Sequence, residues 1–191
     1  MREAALERSE AWDILCEYTK TEALRKHALA VEAAMKAYAR KYEGDEENWG
    51  IVGLLHDFDF EIHPNPEEHP VKGAKILGER AVPEEIVYAV LCHADYLGMD
   101  RKTPMDRAIY AVDELTGFVI AVALVRPSKS IEEVNVAAVR KKMKDKGFAR
   151  AVNREDITRG AEIMDVDLDE HIAFVIESLK PVAAELGIAG A

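Results

Sequence analysis

Histidine and aspartate side chains occur at several points of the chain where an apolar helix does not need them. The stretch IVGLLHDFDF (residues 51–60) is apolar until His56 and Asp57, which stand side by side. Asp113 interrupts the apolar run DRAIYAVDELTGFVIAVALV, and His27 lies on the apolar face of a predicted helix. Burying an unpaired carboxylate costs several kcal/mol, so Asp113 requires a cation nearby.

Each of these residues alone has an ordinary structural explanation. A histidine on an apolar face is usually a core residue with one hydrogen bond, His93 could be a polar helix end, and His69 could be an N-cap or loop residue. Asp113 could be paired with a neighbour such as Arg107 or be partly exposed. Together they indicate a metal, because imidazole and carboxylate are the usual ligands of divalent first-row metals. We predict that these side chains converge between facing helices, and that a helix end lets His56 and Asp57 both point inward.

The order of these residues resembles the HD-domain superfamily of metal-dependent phosphohydrolases. GLLHDFDF resembles the family's LLHDIG-type segment, and HPVKGAKIL its H-P-x-x-G-x-x-I-L segment. AVLCHAD resembles the segment I-x-x-H-H/H-x-D, and AVDELTG the segment A-D-x-L. The resemblance covers about residues 20–120. Phe58 and Asp59 replace the usual Ile and Gly, so the chain resembles an HDIG-related subgroup rather than the strict variant.

The resemblance implies a metal centre whose ligands are shared across the superfamily: His27, His56, Asp57 and Asp113. His69 and His93 match the two additional histidines of members that hold two metals, in which Asp57 would bridge the ions. The implied cofactor is one or two divalent metals, of which Mn, Fe, Co, Ni, Zn and Mg are candidates. His63 has no counterpart in the family pattern, and we predict that His171 lies on the surface.

The resemblance also implies an enzyme, a phosphomonoesterase or phosphodiesterase that attacks a small nucleotide-like or phosphorylated metabolite with metal-activated water. Asp57 would act at the metals, and Asp59 and Glu61 are candidate general acids or bases because they follow it closely. Cations that could bind the phosphate are Lys72, Arg107, Arg101 and Lys102. For each cation the alternative is a solvated surface charge.

Two further hypotheses stay open. A minority of HD-like proteins use the same six ligands to hold two irons and to cleave C–C or C–P bonds with dioxygen, and imidazole and carboxylate also suit iron. The chain could also be a non-catalytic ligand-binding module that retains the site. The Gly-Tyr-Pro motif and the lysine of the cyclic-dinucleotide phosphodiesterase branch are absent from HDFDFEIHPNP, which disfavours that activity.

Helical periodicity along nearly the whole chain predicts an all-α fold, a compact helical bundle of the HD-domain type with a C-terminal helical extension. The predicted helices cover about 3–17, 19–42, 46–56, 70–79, 83–93 and 103–126. Later helices are predicted to start near Ser130, near Asn153 and near residue 168, and the last of them ends at about 186. Capping boxes are predicted for Thr19 with Glu22 and for Ser130 with Glu133. We predict one domain over 1–191, with a core of about 20–126 and accessory helices over about 128–188.

The composition limits the partners. Asp and Glu total 36 against 25 Lys and Arg, a net charge of −11, which argues against nucleic-acid binding through phosphate contacts. The basic segment 140–146 is typical of a solvated amphipathic helix, with a phosphate-facing lid or a partner surface as the alternative. No apolar run reaches the length of a membrane span, no signal-peptide core stands at the N-terminus, and Cys16 and Cys92 have no CxxC spacing. These features favour a cytoplasmic protein with reduced, buried cysteines. The small phosphorylated substrate is what the family resemblance implies.

Overall fold

In the computed structural model, which describes residues 6–190, the predicted periodicity is realised as a bundle of α-helices. These are α1 Arg8–Tyr18, α2 Glu22–Lys41, α3 Glu46–Leu55, α4 Val71–Glu79, α5 Glu84–Cys92, α6 Pro104–Leu124, α7 Val136–Met143, α8 Arg154–Ile163, α9 Leu168–Leu179 and α10 Ala183–Leu186. Within the described part of the chain there is no strand beyond a single bridge between Ser130 and Ala189. The all-α prediction is therefore confirmed.

The two longest helices, α2 and α6, pack against each other and form the centre of the bundle. Helix α3 packs along α2, α5 contacts both α3 and α6, and α4 lies on α5. Helices α8 and α9 cover α6, and α9 also contacts α2. Large apolar side chains such as Met35, Leu55, Ile109, Leu115 and Phe118 are fully buried where these helices meet. This packing brings α2, α3, α5 and α6 together at the candidate site.

Helix α6 begins as its sequence predicts. The Thr103 side chain accepts a hydrogen bond from the backbone N–H of Asp106 at 3.2 Å, and the Asp106 carboxylate accepts one from the N–H of Thr103 at 2.9 Å. Pro104 occupies the first turn, where its missing N–H costs nothing. The predicted helix start is confirmed, and the capping box that forms there, which was not predicted, fixes the start of the helix that carries Asp113.

The predicted capping box at the start of α2 is wrong. The helix begins at Glu22 after Thr21, and the hydroxyl of Thr19 donates instead to the carbonyl of Phe58 at 2.8 Å. The free N–H groups of Lys20 and Thr21 are bonded by the carboxylate of Glu61, at 2.8 and 3.0 Å. The carboxylate of Glu61, which is distant in sequence, therefore bonds the N–H groups at this helix start in place of the predicted local capping box.

The C-terminal helices differ from the prediction in two places. The helix expected over about 168–186 ends at Leu179, and a 3₁₀ turn containing Pro181 follows, because proline lacks the N–H needed to continue an α-helix. Ser130 bonds the N–H of Glu132 at the start of a 3₁₀ turn rather than forming a capping box with Glu133. The start predicted at residue 3 lies outside the described residues. The division into core and accessory helices stays a prediction.

His171 was predicted on the surface, and this is wrong, since only 1% of it is exposed. Its Nε2–H donates to the carbonyl of Ala111 at 2.9 Å, and its Nδ1 accepts from the hydroxyl of Tyr38 at 2.6 Å. Burial lowers the pKa of this histidine, so it stays neutral in the core. Both partners come from other helices, which the local sequence does not reveal.

Both cysteines are free thiols; Cys92 is buried, whereas Cys16 is partly exposed, contrary to its prediction. No helix within residues 6–190 combines the length and the apolar character needed to cross a membrane.

Candidate metal centre

Four side chains meet at one point between α2, α3 and α6. His27 lies in α2, Asp113 lies in α6, and His56 and Asp57 follow the last residue of α3. His27 Nε2 is 3.0 Å from Asp113 Oδ1 and 3.2 Å from His56 Nε2. His56 Nε2 is 3.6 Å from Asp57 Oδ2. We call these four residues the first ligand group.

Asp57 also belongs to a second cluster. Its other oxygen, Oδ1, lies 3.1 Å from His69 Nε2 and 3.3 Å from His93 Nε2, and these two nitrogens are 3.1 Å apart. His69 stands just before α4, and His93 directly follows α5. We call Asp57, His69 and His93 the second ligand group. The two oxygens of Asp57 are thus divided between the groups.

Both groups fit a divalent metal. Ligand atoms bound at about 2.0–2.2 Å to one ion lie about 3–3.5 Å apart. The distances in the second group, 3.1–3.3 Å, fall in this range, and those in the first group, 3.0–4.0 Å, are close to it. Within each group the ligand atoms all lie within 4.8 Å of one another. Pairs of imidazole Nε2 atoms face each other in both groups, at 3.2 and 3.1 Å, and two lone pairs so placed repel unless a cation lies between them. Each of the two groups is therefore a donor set that could hold a divalent ion.

Hydrogen bonds to the remote ring nitrogens set the tautomers of these histidines. His56 Nδ1 lies 2.8 Å from the carbonyl of Gly53, and His93 Nδ1 lies 2.6 Å from that of Val90. A carbonyl only accepts, so each Nδ1 carries the proton and donates. The lone pair of a neutral ring is then on Nε2, where it faces the ligand group.

In the metal-free protein, the histidines and carboxylates of the two groups shift one another's pKa values toward the charged forms. Burial lowers the pKa of His56, but the Asp57 and Asp113 carboxylates outweigh it and raise that pKa to about 9. The pKa of His69 is also raised to about 9, since hydrogen bonds to carboxylates outweigh burial. The pKa values of Asp57 and Asp113 lie below their usual range, because burial is outweighed by neighbouring histidines, chiefly His56. The site thus holds protons that a metal must displace.

A cavity of about 520 Å³ opens on both groups. The ligand-group residues that line it are His27, Asp57, His69, His93 and Asp113. Its other polar lining residues are Asn65, Asp95, Tyr96, Tyr110, Glu114 and Asp156. Among the described residues, no lysine or arginine lines this cavity. Any anion bound there would have to be neutralised by metal ions.

Asp59 is placed differently from its prediction as a general acid or base. It is fully buried behind His69 and does not line the cavity. Its Oδ1 accepts from His69 Nδ1–H at 2.8 Å, and its Oδ2 accepts from the backbone N–H of Gly73 at 3.0 Å. With both oxygens engaged away from the cavity, Asp59 has no access to a substrate.

The other predicted polar residues also lie away from the cavity lining. Glu61 is exposed and bonds the start of α2, as described above. Lys72 is half exposed and pairs with Glu68, and Arg107 is partly buried outside the lining. His63 lies 3.7 Å from the same Glu68 carboxylate and does not line the cavity either. These side chains therefore do not reach a substrate in this conformation.

Arg101 and Lys102 also lie outside the cavity lining. Arg101 lies over the ring of Tyr110 and pairs with Asp95 at 3.1 Å, whereas Lys102 lies over the ring of Tyr88. In the basic segment 140–146, no side chain lines the cavity.

Some cavity residues were not identified from the sequence. Phe60 lies edge-on to the His69 ring, with centroids 5.4 Å apart, and the Tyr96 hydroxyl donates to the His69 carbonyl at 2.6 Å. Glu114 lines the cavity directly after Asp113, and burial together with that neighbouring carboxylate raises its pKa to about 7. Its adjacency to Asp113 is the only sequence signal that points to it.

Comparison with known proteins agrees with this arrangement. Residues 24–117 match the family model of the HD domain, a segment that contains all six residues of the two ligand groups. The match covers nearly half of the chain and supports an assignment to the HD superfamily. This superfamily is of the metal-dependent phosphohydrolase type. No curated protein and no solved structure matches the chain.

Proposed function

We propose that this protein is a metal-dependent phosphohydrolase that hydrolyses a small phosphorylated metabolite with metal-activated water. The observation that carries the proposal is the division of the Asp57 oxygens between two ligand groups, 3.6 Å from His56 in one and 3.1 Å from His69 in the other. Two groups joined by one carboxylate and open to one cavity suit a pair of ions that act on a single phosphate.

The ligand groups and the cavity have separate parts in this mechanism. Divalent ions held there would lower the pKa of bound water and neutralise charge on the phosphoryl oxygens. His56 and His93 would present their Nε2 lone pairs to the ions, because their Nδ1–H groups are bonded to carbonyls. The surrounding cavity, of about 520 Å³, has room for a small metabolite.

Glu114 is the cavity carboxylate that we assign to proton transfer, in place of Asp59 and Glu61. One of its oxygens accepts from the N–H of Asn153 at 3.1 Å, which leaves the other without a bond to the described residues. The remaining carboxylates outside the ligand groups are engaged: Asp95 pairs with two arginines, and Asp156 accepts from Tyr110 and Asn153.

The residues that line the cavity also restrict the class of substrate that could bind there. Each phosphate beyond the one that the ions bind would face carboxylates and no lysine or arginine. A monophosphate, or a diester with one reacting phosphate, therefore suits the cavity better than a nucleoside triphosphate. This argument replaces the phosphate-binding role predicted for Lys72 and Arg107.

The test is a screen of phosphomonoesters and phosphodiesters with the protein loaded with Mn²⁺, Fe²⁺, Co²⁺ or Mg²⁺. We expect turnover with at least one metal, a loss of at least about 100-fold in His56→Ala, and wild-type turnover in His63→Ala. Each variant replaces a histidine by alanine, but His63 lies outside both ligand groups and outside the cavity lining. Equal activity in both variants, or no turnover of any ester by the two-metal protein, would exclude this function.

A second function, a di-iron oxygenase, is favoured by the same absence of lysine and arginine among the described lining residues. A substrate without phosphate would need no such cation. Anaerobic loading with Fe²⁺ followed by measurement of oxygen uptake separates the two proposals. Oxygen consumption coupled to C–C or C–P cleavage, without ester hydrolysis, would favour the oxygenase. Ligand binding without either reaction would favour the non-catalytic module.

A further inference from the structure

The four histidines of the two ligand groups are not held in the same way. His56 and His93 each follow a helix, and each donates from Nδ1 to the carbonyl three residues earlier, at 2.8 and 2.6 Å. His69 stands before its helix and has no such carbonyl behind it. Its Nδ1–H donates to the carboxylate of Asp59 at 2.8 Å. The second ligand group therefore contains a histidine held by a charge, whereas the other helix-end histidines are held by neutral carbonyls.

Asp59 is itself fixed in place from the other side. It is 0% exposed, and its second oxygen accepts from the backbone N–H of Gly73, in the first turn of α4, at 3.0 Å. A Cβ at Gly73 would lie 2.5 Å from the Asp59 carboxyl carbon and 2.7 Å from both oxygens. Only glycine lets the carboxylate lie this close to the helix. Asp59, Gly73 and His69 thus form one packed unit.

A carboxylate is a stronger support for a ligating imidazole than a carbonyl is. It fixes the tautomer with the proton on Nδ1, it holds the ring plane, and its charge raises the basicity of Nε2. In His69 that Nε2 is the atom that lies 3.1 Å from Asp57 Oδ1 and 3.1 Å from His93 Nε2.

We propose that Asp59 is a positioning residue for the second ligand group, acting through His69 to secure the metal ion that Asp57, His69 and His93 would hold. This inference rests on the proposed metal centre and is independent of the reaction catalysed there. It gives the segment FDF, in which Asp59 stands where the resembled family has glycine, a role in the occupancy of one ion.

The experiment is a titration of metal-free protein with Co²⁺, followed by calorimetry and by the visible absorption of the bound ion. We expect wild-type protein to bind two ions. Asp59→Asn should weaken the binding of one ion by about 10–100-fold and leave the other within about threefold. An amide of the same size has an NH2 donor in place of one carboxylate oxygen, so either His69 or Gly73 loses the oxygen that accepts its hydrogen bond.

Gly73→Ala provides a second variant with the carboxylate intact. Its new methyl group must displace Asp59, so we expect it to weaken the same ion. Asp106→Asn is the matched control, because Asp106 is another buried carboxylate, 2% exposed, that caps α6 away from both ligand groups. We expect this control to bind two ions with wild-type affinity even where its melting temperature falls.

The outcomes separate this inference from the proposed function. Two ions bound with wild-type affinity by both Asp59→Asn and Gly73→Ala would overturn the positioning role and leave the metal centre intact. Equal weakening of both ions in Asp59→Asn and in the Asp106→Asn control would also overturn it, since the effect would then be general destabilisation. Wild-type protein that binds no Co²⁺ would overturn the proposed metal centre itself.

Discussion

The contact between α2 and α3 at Gly53 predicts a large effect from one methyl group. A Cβ at Gly53 would lie 2.7 Å from the backbone nitrogen of Glu32, 2.8 Å from its Cα and 2.9 Å from the carbonyl carbon of Val31. All three atoms are backbone of α2, so no side chain can rotate away. Ordinary contact begins at 3.4 Å, and the helices must separate locally by about 0.7 Å to reach it.

This separation acts directly on the first ligand group. His27 is carried by α2 and His56 follows α3, with their Nε2 atoms 3.2 Å apart. Metal–ligand distances tolerate deviations of about 0.2 Å, so a displacement of about 0.7 Å exceeds the tolerance. We expect Gly53→Ala to lower the free energy of unfolding of the metal-free protein by about 1–3 kcal/mol. We also expect it to weaken the ion of the first group by more than about tenfold.

The assays are urea unfolding of the metal-free protein and calorimetric titration with Mn²⁺. Gly78→Ala is the control, because Gly78 lies in α4 and a Cβ there meets nothing within 4 Å. The same methyl group should leave metal binding unchanged and raise stability by about 0.5–1 kcal/mol through helix propensity. If Gly53→Ala matches Gly78→Ala in stability and in Mn²⁺ affinity, the argument that this close helix contact positions the ligands is refuted.

Three further predictions follow from the same structure. The pKa values of His56 and His69 are raised from 6.5 to about 9 in the metal-free protein, so their stabilising effect is complete below pH 6.5 and is lost as the pH rises to 9. The melting temperature of metal-free protein should fall over that range while Mn²⁺ affinity rises, and a flat profile of both would contradict the charge arrangement. Tyr38→Phe leaves Nδ1 of buried His171 without its donor and should cost about 1–3 kcal/mol in urea unfolding; an unchanged midpoint would argue against that bond. Thr103→Ala removes the cap of α6 and should cost about 1 kcal/mol in the same assay without changing ion stoichiometry, and a change in stoichiometry would show that the cap does more than start the helix.

The helices could be predicted where their signals are local. Thr103, Pro104 and Asp106 lie within four consecutive residues, and the helix starts there. The start of α2 was misassigned because its free N–H groups are bonded by Glu61, 40 residues away. Long-range partners of this kind leave no pattern near the helix that they complete, so sequence periodicity finds the helix but misplaces its first residues.

In the candidate site, too, some residues could be predicted from the sequence and others could not. Residue types and the family resemblance selected six side chains that the structure does bring together around Asp57. The residues that orient these side chains could not be identified from the sequence, because the contact of Asp59 with His69 depends on the fold of the loop between α3 and α4. His171 was placed on the surface for the same reason: the hydroxyl and the carbonyl that allow its burial come from α2 and α6.

The count of bound ions tests the central claim, two ligand groups joined at Asp57, most directly. Metal analysis and calorimetry of protein loaded with Mn²⁺ should give two ions per chain for the wild type and for His63→Ala. Asp57→Ala removes the carboxylate that both groups share, so the binding of both ions should weaken together. A wild-type protein that binds fewer than two ions, or an Asp57→Ala variant that still binds two with unchanged affinity, would contradict this account.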